Sequence, residues 1–277
     1  VIERDYPFKV FVFDWHGEYT GLLKNYIYVD PYEYRVDLNI EETYWFIDLL
    51  YDVLELTPSQ AYVLEKVFRK KRIGDLVELV NAIESFDDEA GWMRESRLAL
   101  LRKLSPLIRS GYIDLFTNGS EWFNTVDKGV FIVDVSRITS YVVRRIYTAI
   151  LLKKVFSQAI ANGLENNVIL VIEEAQNLLD RERPVKIVSS MLAEVRKFGI
   201  GLIIVSQSPS RLLEDVMINT NTKIIHSIKS SIDLEIVNKV LYLPMEYQKI
   251  IPYLDVGEAI LYTRGFKKPV IIRIDSC

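Results

Sequence analysis

Two adjacent glutamates, Glu173 and Glu174, stand where the apolar, β-branched run VILVI breaks off and a helix-like AQNLL begins. Consecutive side chains on a strand face opposite sides, so the pair can divide labour. One carboxylate holds Mg²⁺ directly or through water, and the next reaches the water that attacks a γ-phosphate. Acids after a strand also simply favour a following helix N-terminus, and the residues alone leave both readings open. The run GLIIVSQSPSRL ends in Ser206 and Gln207, whose amide can sense a γ-phosphate or cap the strand. The stretch VFDWHGEY brings Asp14, His16 and Glu18 to a strand end, with Gly17 permitting the turn.

Positive charge near these strand ends comes from Arg196, in EVRKFGIG, and from the loop RERPVK. Arg196 can reach a nucleotide across a subunit boundary or complement a helix C-terminus before Gly199. Arg181, Arg183 and Lys186 are the candidates for a DNA-contacting loop. Other basic runs, at 69–72 and among Arg94, Arg97, Arg102, Lys103 and Arg109, can touch phosphates, although most such runs are solvated faces and the helix-end position of 69–72 suits the dipole. No GxxxxGK[ST] loop exists anywhere in the chain to cradle a triphosphate.

These residues need a scaffold, and the periodicity supplies one. Apolar runs at KVFVFD, NYIYVDP (halted by Pro31), GVFIVDV, VILVI and GLIIV read as strands, and helical patterns alternate with them after Gly129. Strands apolar along their whole length and separated by helices predict a largely parallel sheet covered on both faces, an α/β fold. TKIIHSI, AILYT and VIIRI are further strand candidates. From about Glu41 to Ser110 apolar residues recur at three- and four-residue spacing, which predicts a helical insertion, placed at 36–127 within a single unit spanning 1–277. Thr57-Pro58-Ser59 marks one helix start.

Composition narrows the class. The chain has 277 residues, 49% hydrophobic, and a net charge of −4. Its longest apolar runs are too short for a bilayer span, so no membrane association is expected. One cysteine, Cys277, and two histidines exclude a disulfide framework and a Cys/His zinc site, and suit a reducing, cytoplasmic setting.

Taken in order, VFDWHGEY at 12–19, VIEEAQNLL at 171–179, VRKFGIGLIIVSQSPSRL at 195–212 and YLDVGEAILYTRGFKKPVIIRI at 253–274 resemble the HerA-type ATPases, in the HerA/FtsK branch of RecA-like DNA translocases. The resemblance implies a RecA-like sheet, ATP and Mg²⁺ as cofactors, double-stranded DNA as substrate, a homohexameric ring and a NurA-type nuclease partner. It assigns Glu173 to the magnesium side, Glu174 to catalysis, Gln207 to sensing and Arg196 to the subunit boundary; Asp14 and Glu18 are cofactor-binding candidates by their place at the strand end. Val195 and Ser208 depart from the family's usual glycine and arginine. It also implies that the phosphate loop and its strand precede KVFVFD, so this chain reads as a carboxy-terminal piece, inactive alone. The missing strand is expected beside the glutamate strand, leaving an open apolar slot there. The rival readings are a loop-less scaffold paralogue and a motor of a conjugation or secretion system.

Overall fold

The computed structural model describes residues 8–37, 43–86, 91–109, 111–117, 119, 128–161 and 168–274. Parts of the expected insertion (38–42, 87–90, 110, 118 and 120–127) and Cys277 lie outside the described residues. The chain forms two compact units, one of residues 1–173 and 185–205, the other of 174–184 and 206–277.

The first unit is built on five parallel strands: β1 (Lys9–Asp14), β2 (Ile27–Val29), β3 (Gly129–Asp134), β4 (Val168–Ile172) and β5 (Gly201–Ile204). Their order is β2-β3-β1-β4-β5. The three central strands are buried on both faces, as their unbroken apolar sequences predict. Alternation sorts the side chains: Val10, Val12, Val130, Ile132 and Val171 pack together, whereas Phe11 stacks on Phe131 at 4.8 Å.

Register decides where the polar residues emerge. Asp14 pairs with Asp134 across β1 and β3, and Phe13 pairs with Ile172 at the end of β4. The three central strands therefore end level, and ligands of open α/β sheets bind at such carboxyl ends. The glutamate strand β4 is hydrogen-bonded to β1 on one side and β5 on the other. The slot expected beside it does not exist, because β1 and β5 fill both of its edges. Among the described residues of this sheet β2 and β5 are each paired on one side only, and Ile203 of β5 is half exposed.

Between β2 and β3 come α1 (Thr43–Val53), α2 (Pro58–Lys70), α3 (Leu76–Glu84) and α4 (Gly91–Leu104). α2 begins as its sequence predicts. Thr57 accepts from the Gln60 N–H, the Gln60 side chain returns to the Thr57 N–H, and Pro58 follows the cap. α5 (Tyr141–Ala161) precedes β4, and α6 (Lys186–Glu194) precedes β5. Val185 offers no cap to α6. Asp52 of α1 replaces it, accepting the Lys186 N–H at 2.7 Å.

The second unit contains α7 (Glu214–Asn219), β6 (Thr222–Ile225), α8 (Ser231–Leu241), α9 (Met245–Ile250), β7 (Glu258–Thr263) and β8 (Val270–Arg273). Its three strands pair antiparallel in the order β6-β7-β8. They form a sheet of their own over a core of Ile225, Val237, Leu241, Ile251 and Ile260.

Candidate active site

In the first unit the site starts with Asp14, fully buried at the end of β1. Its Oδ1 accepts the backbone N–H groups of His16, Gly17 and Glu18 at 3.2, 2.7 and 3.3 Å, and its Oδ2 accepts that of Tyr19 at 3.0 Å. A single carboxylate thus curls WHGEY into a tight turn. Gly17 is required there: its φ is +77°, and a Cβ would lie 2.9 Å from the Ser136 Oγ. Both Asp14 oxygens accept from this loop. His16 and Glu18 point to solvent.

The same loop reaches the glutamate strand through Trp15, whose N–H donates to Glu173 Oε2 at 2.9 Å. Arg144 of α5 secures Trp15 from the other side. Its Nη1 donates to the Trp15 carbonyl at 3.1 Å, its Nη2 to the Ser136 carbonyl at 3.2 Å and its Nε to the Ile138 carbonyl at 2.8 Å. The guanidinium also sits 5.4 Å from the Trp15 ring. Asp134, ending β3, accepts from Ser136 and from the Tyr28 hydroxyl, the latter at 2.8 Å. The turns after β1 and β3 are consequently tied together, and Arg144 was not singled out in the sequence.

Burial pushes the Glu173 carboxyl up to about 7, the Trp15 N–H opposes the rise, and the Asp14 carboxylate adds to it by accepting from protonated Glu173 and by charge repulsion. An added cation would relieve this penalty. Among the described residues no group of three or more His, Cys, Asp or Glu could hold a metal. A divalent ion at Glu173 would therefore complete its shell with water and phosphate oxygens, which suits Mg²⁺ rather than an all-protein cage.

The two glutamates are not, as expected, alternating residues of one strand. β4 stops at Ile172, and Glu174 adopts a left-handed backbone, φ 47° and ψ 44°. A non-glycine residue in that region costs on the order of 1 kcal/mol, and such residues cluster at functional sites. In the second unit the Glu174 side chain, 7% exposed, accepts a hydrogen bond from Gln176 Nε2. The Gln176 Oε1 in turn accepts from the Ser206 hydroxyl at 2.7 Å, and Ser206 Oγ accepts the Ser208 N–H at 3.2 Å. Gln176 is 4% exposed, whereas Gln207 is exposed. The amide that bonds to Glu174 is that of Gln176. Its position in VIEEAQ was the available signal, but its partner Ser206 lies thirty residues on.

The positive residues take separate places. Arg196 is exposed in a short 3-10 turn, Val195–Phe198, which Gly199 ends with φ 66°. Arg181 pairs with Glu214 at 2.8 Å, and its N–H donates to the Arg211 carbonyl. The Arg183 N–H donates to Asp180, and Lys186 opens α6. Asp180 also accepts from Arg211 at 3.1 Å.

Comparison with solved structures defines the class. The fold matches VirB4 of Thermoanaerobacter pseudethanolicus with a TM-score of 0.73 at 16% identity, covering 98% of this chain and 82% of that one. It matches the plasmid coupling protein TrwB with a TM-score of 0.68 at 12% identity, covering 98% and 79%. This is the RecA-like ATPase fold, with a five-stranded parallel sheet and helices.

Sequence comparison gives the family. Residues 2–155 match the helicase HerA central domain, and the chain belongs to that family. It is 29% identical to the DNA double-strand break repair helicase HerA of Sulfolobus acidocaldarius over 301 aligned positions, covering 97% of this chain and 59% of that protein. Identity to the HerA of Saccharolobus solfataricus is 28%, covering 96% and 58%. The chain thus spans about three fifths of the relatives it matches. Among the described residues no helix is long and apolar enough to cross a membrane.

Proposed function

We propose that this chain carries the hydrolytic and sensing half of an ATP-driven translocase for double-stranded DNA, acting in DNA-end processing. Residues 1–277 form part of a RecA-like ATPase domain, with a helical insertion at 36–127. Glu174 is the general base that orients the attacking water, and Glu173 holds Mg²⁺. Gln207 and Arg196 act on the γ-phosphate, Arg196 from a neighbouring subunit of a cytoplasmic homohexamer. Asp14 shapes the loop that carries Glu18 toward the nucleotide. Arg181, Arg183 and Lys186 contact DNA, and a NurA-type nuclease is the expected partner.

The observation that carries this reading is the state of the two acids. Glu173 is buried, and burial disfavours its charged form enough to push its carboxyl up to about 7. Glu174 is buried in a strained backbone and aimed by the Gln176–Ser206 relay. Such strain and unfavourable charge mark working groups rather than structural ones. No phosphate loop is among these residues, so the 277-residue chain alone is expected to show negligible ATP hydrolysis.

The test is ATP hydrolysis by the gene-length protein, with and without duplex DNA. DNA-stimulated turnover that falls roughly 100-fold or more in Glu174→Gln is expected. Turnover that survives the substitution would refute the catalytic role. A folded gene-length protein with no turnover would favour a scaffold.

A further inference from the structure

Away from the strand ends, charge in the helical segment is sorted helix by helix. α1 and α3 contain no lysine or arginine. Residues 58–72 carry five against one acid, and residues 91–104 of α4 carry four against one, in a chain of net charge −4. α2 and α4 pack on each other, so the two cationic helices are neighbours. Some of this charge has an ordinary cause. Arg69 and Lys70 in the last turn of α2, like Arg102 and Lys103 in α4, complement helix dipoles. Lys66 lies mid-helix, and Arg94 lies in the first turn of α4, where a cation opposes the dipole.

Two large aromatics stand in solvent at the meeting of these helices. Tyr62 is 39% exposed and Trp92 49%, with ring centroids 6.0 Å apart and planes inclined at 42°. The Lys66 ammonium lies 5.2 Å from the Tyr62 centroid. Tyr62, Lys66, Arg69 and Lys70 follow one another at helical spacing, which makes a single stripe along α2. Arg69 shares that stripe with Glu65 through an exposed pair at 3.5 Å, weak enough for a phosphate to displace.

We propose that the α2–α4 surface docks single-stranded nucleic acid, with Tyr62 and Trp92 stacking on unpaired bases and Lys66, Arg69 and Lys70 meeting the phosphates. Exposed rings interleaved with cations suit this occupant, because every base has a π-face and every linkage an anionic oxygen. A duplex keeps its bases stacked inside and offers the rings nothing. An acidic protein would use the cations and ignore the rings. The inference goes beyond the reading of the strand-end site, and it requires neither nucleotide nor phosphate loop.

The experiment is titration of the 277-residue chain with fluorescein-labelled oligo-dT of about 20 nucleotides, a length spanning several stacking sites, followed by anisotropy and tryptophan emission. Oligo-dT should bind, quench part of the emission, and bind more tightly than a duplex of equal length. Tyr62→Ala and Trp92→Ala should each weaken binding by roughly 5-fold or more. Trp92→Phe should keep the affinity and lose most of the quench. Lys66→Gln should reduce the salt slope by about 0.7. Thermal melts report whether each variant is folded. Absence of oligo-dT binding, equal binding of duplex, or unchanged affinity in a folded Trp92→Ala would overturn the proposal. Glu174→Gln should bind oligo-dT like the parent, so loss of hydrolysis and loss of this contact are separable.

Discussion

Burial disfavours ionisation at both Glu173 and Asp180, yet the two carboxyls end on opposite sides of their ordinary range. Asp180, in the second unit, is drawn down. The N–H groups of Glu182 and Arg183 and the Arg211 guanidinium outweigh its desolvation. Asp233 behaves likewise, held by Ser210 and Ser230 against its own burial. Glu173, in the first unit, has one backbone donor and a second carboxyl beside it, and is pushed up. Donors surround a carboxylate that serves the fold. A carboxyl left short of donors is one whose charged form the fold does not stabilise, and a bound cation would favour its ionisation.

The largest effect expected from this contrast lies at Asp14, which sides with the structural acids despite its place at the strand ends. Asp14→Ala strips acceptors from four backbone donors in a buried turn and should cost about 3–5 kcal/mol in urea unfolding. A loss under about 1 kcal/mol would mean that the loop is not built on this carboxylate. Next comes Gln176→Ala. Removing the donor to Glu174 should lower ATP turnover of the gene-length protein by about 10-fold, and, because the amide is buried between Glu174 and Ser206, should also cost about 1–3 kcal/mol of stability. An unchanged rate would detach Gln176 from the chemistry.

Asp180→Asn should cost about 1 kcal/mol near neutral pH. Because the folded value is depressed, that stability is present above about pH 4 and is lost as pH falls through the folded value. Variant and parent should therefore converge in acid. The smallest effect belongs to Arg181→Ala, whose exposed pair with Glu214 should contribute about 0.5 kcal/mol or less. The same change should weaken duplex binding if the loop contacts DNA, which makes it informative despite its small stability cost.

What could be read in advance follows physical locality. Strands rich in β-branched residues announced themselves, and so did the Thr57–Pro58 cap, because such signals live within a few neighbouring residues. α3 was not singled out, being only nine residues long. Pairing partners are non-local. Nothing in VILVI or GLIIV reveals that β4 is flanked on both sides, or that β6, β7 and β8 make a separate antiparallel sheet. The site divides in the same way. Glu173, Glu174 and Asp14 stood out by type and position. The left-handed turn at Glu174, the Gln176–Ser206 relay and the three-carbonyl grip of Arg144 depend on backbone placed by distant segments.

The contrast between the two settings is tested most directly by the stability of Glu173→Gln and the parent across pH. The folded value of Glu173 is raised, so the native state binds more protons than the unfolded one between about 4.5 and 7. Stability of the parent should decline as pH rises through that window. The glutamine variant should lack the decline and gain on the order of 1–2 kcal/mol over the parent at pH 8, with no gain near pH 4. A Glu173→Gln protein that is less stable than the parent at pH 8, or that shows the same pH slope, would contradict the account, because Glu173 would then be one more carboxylate that the fold itself satisfies.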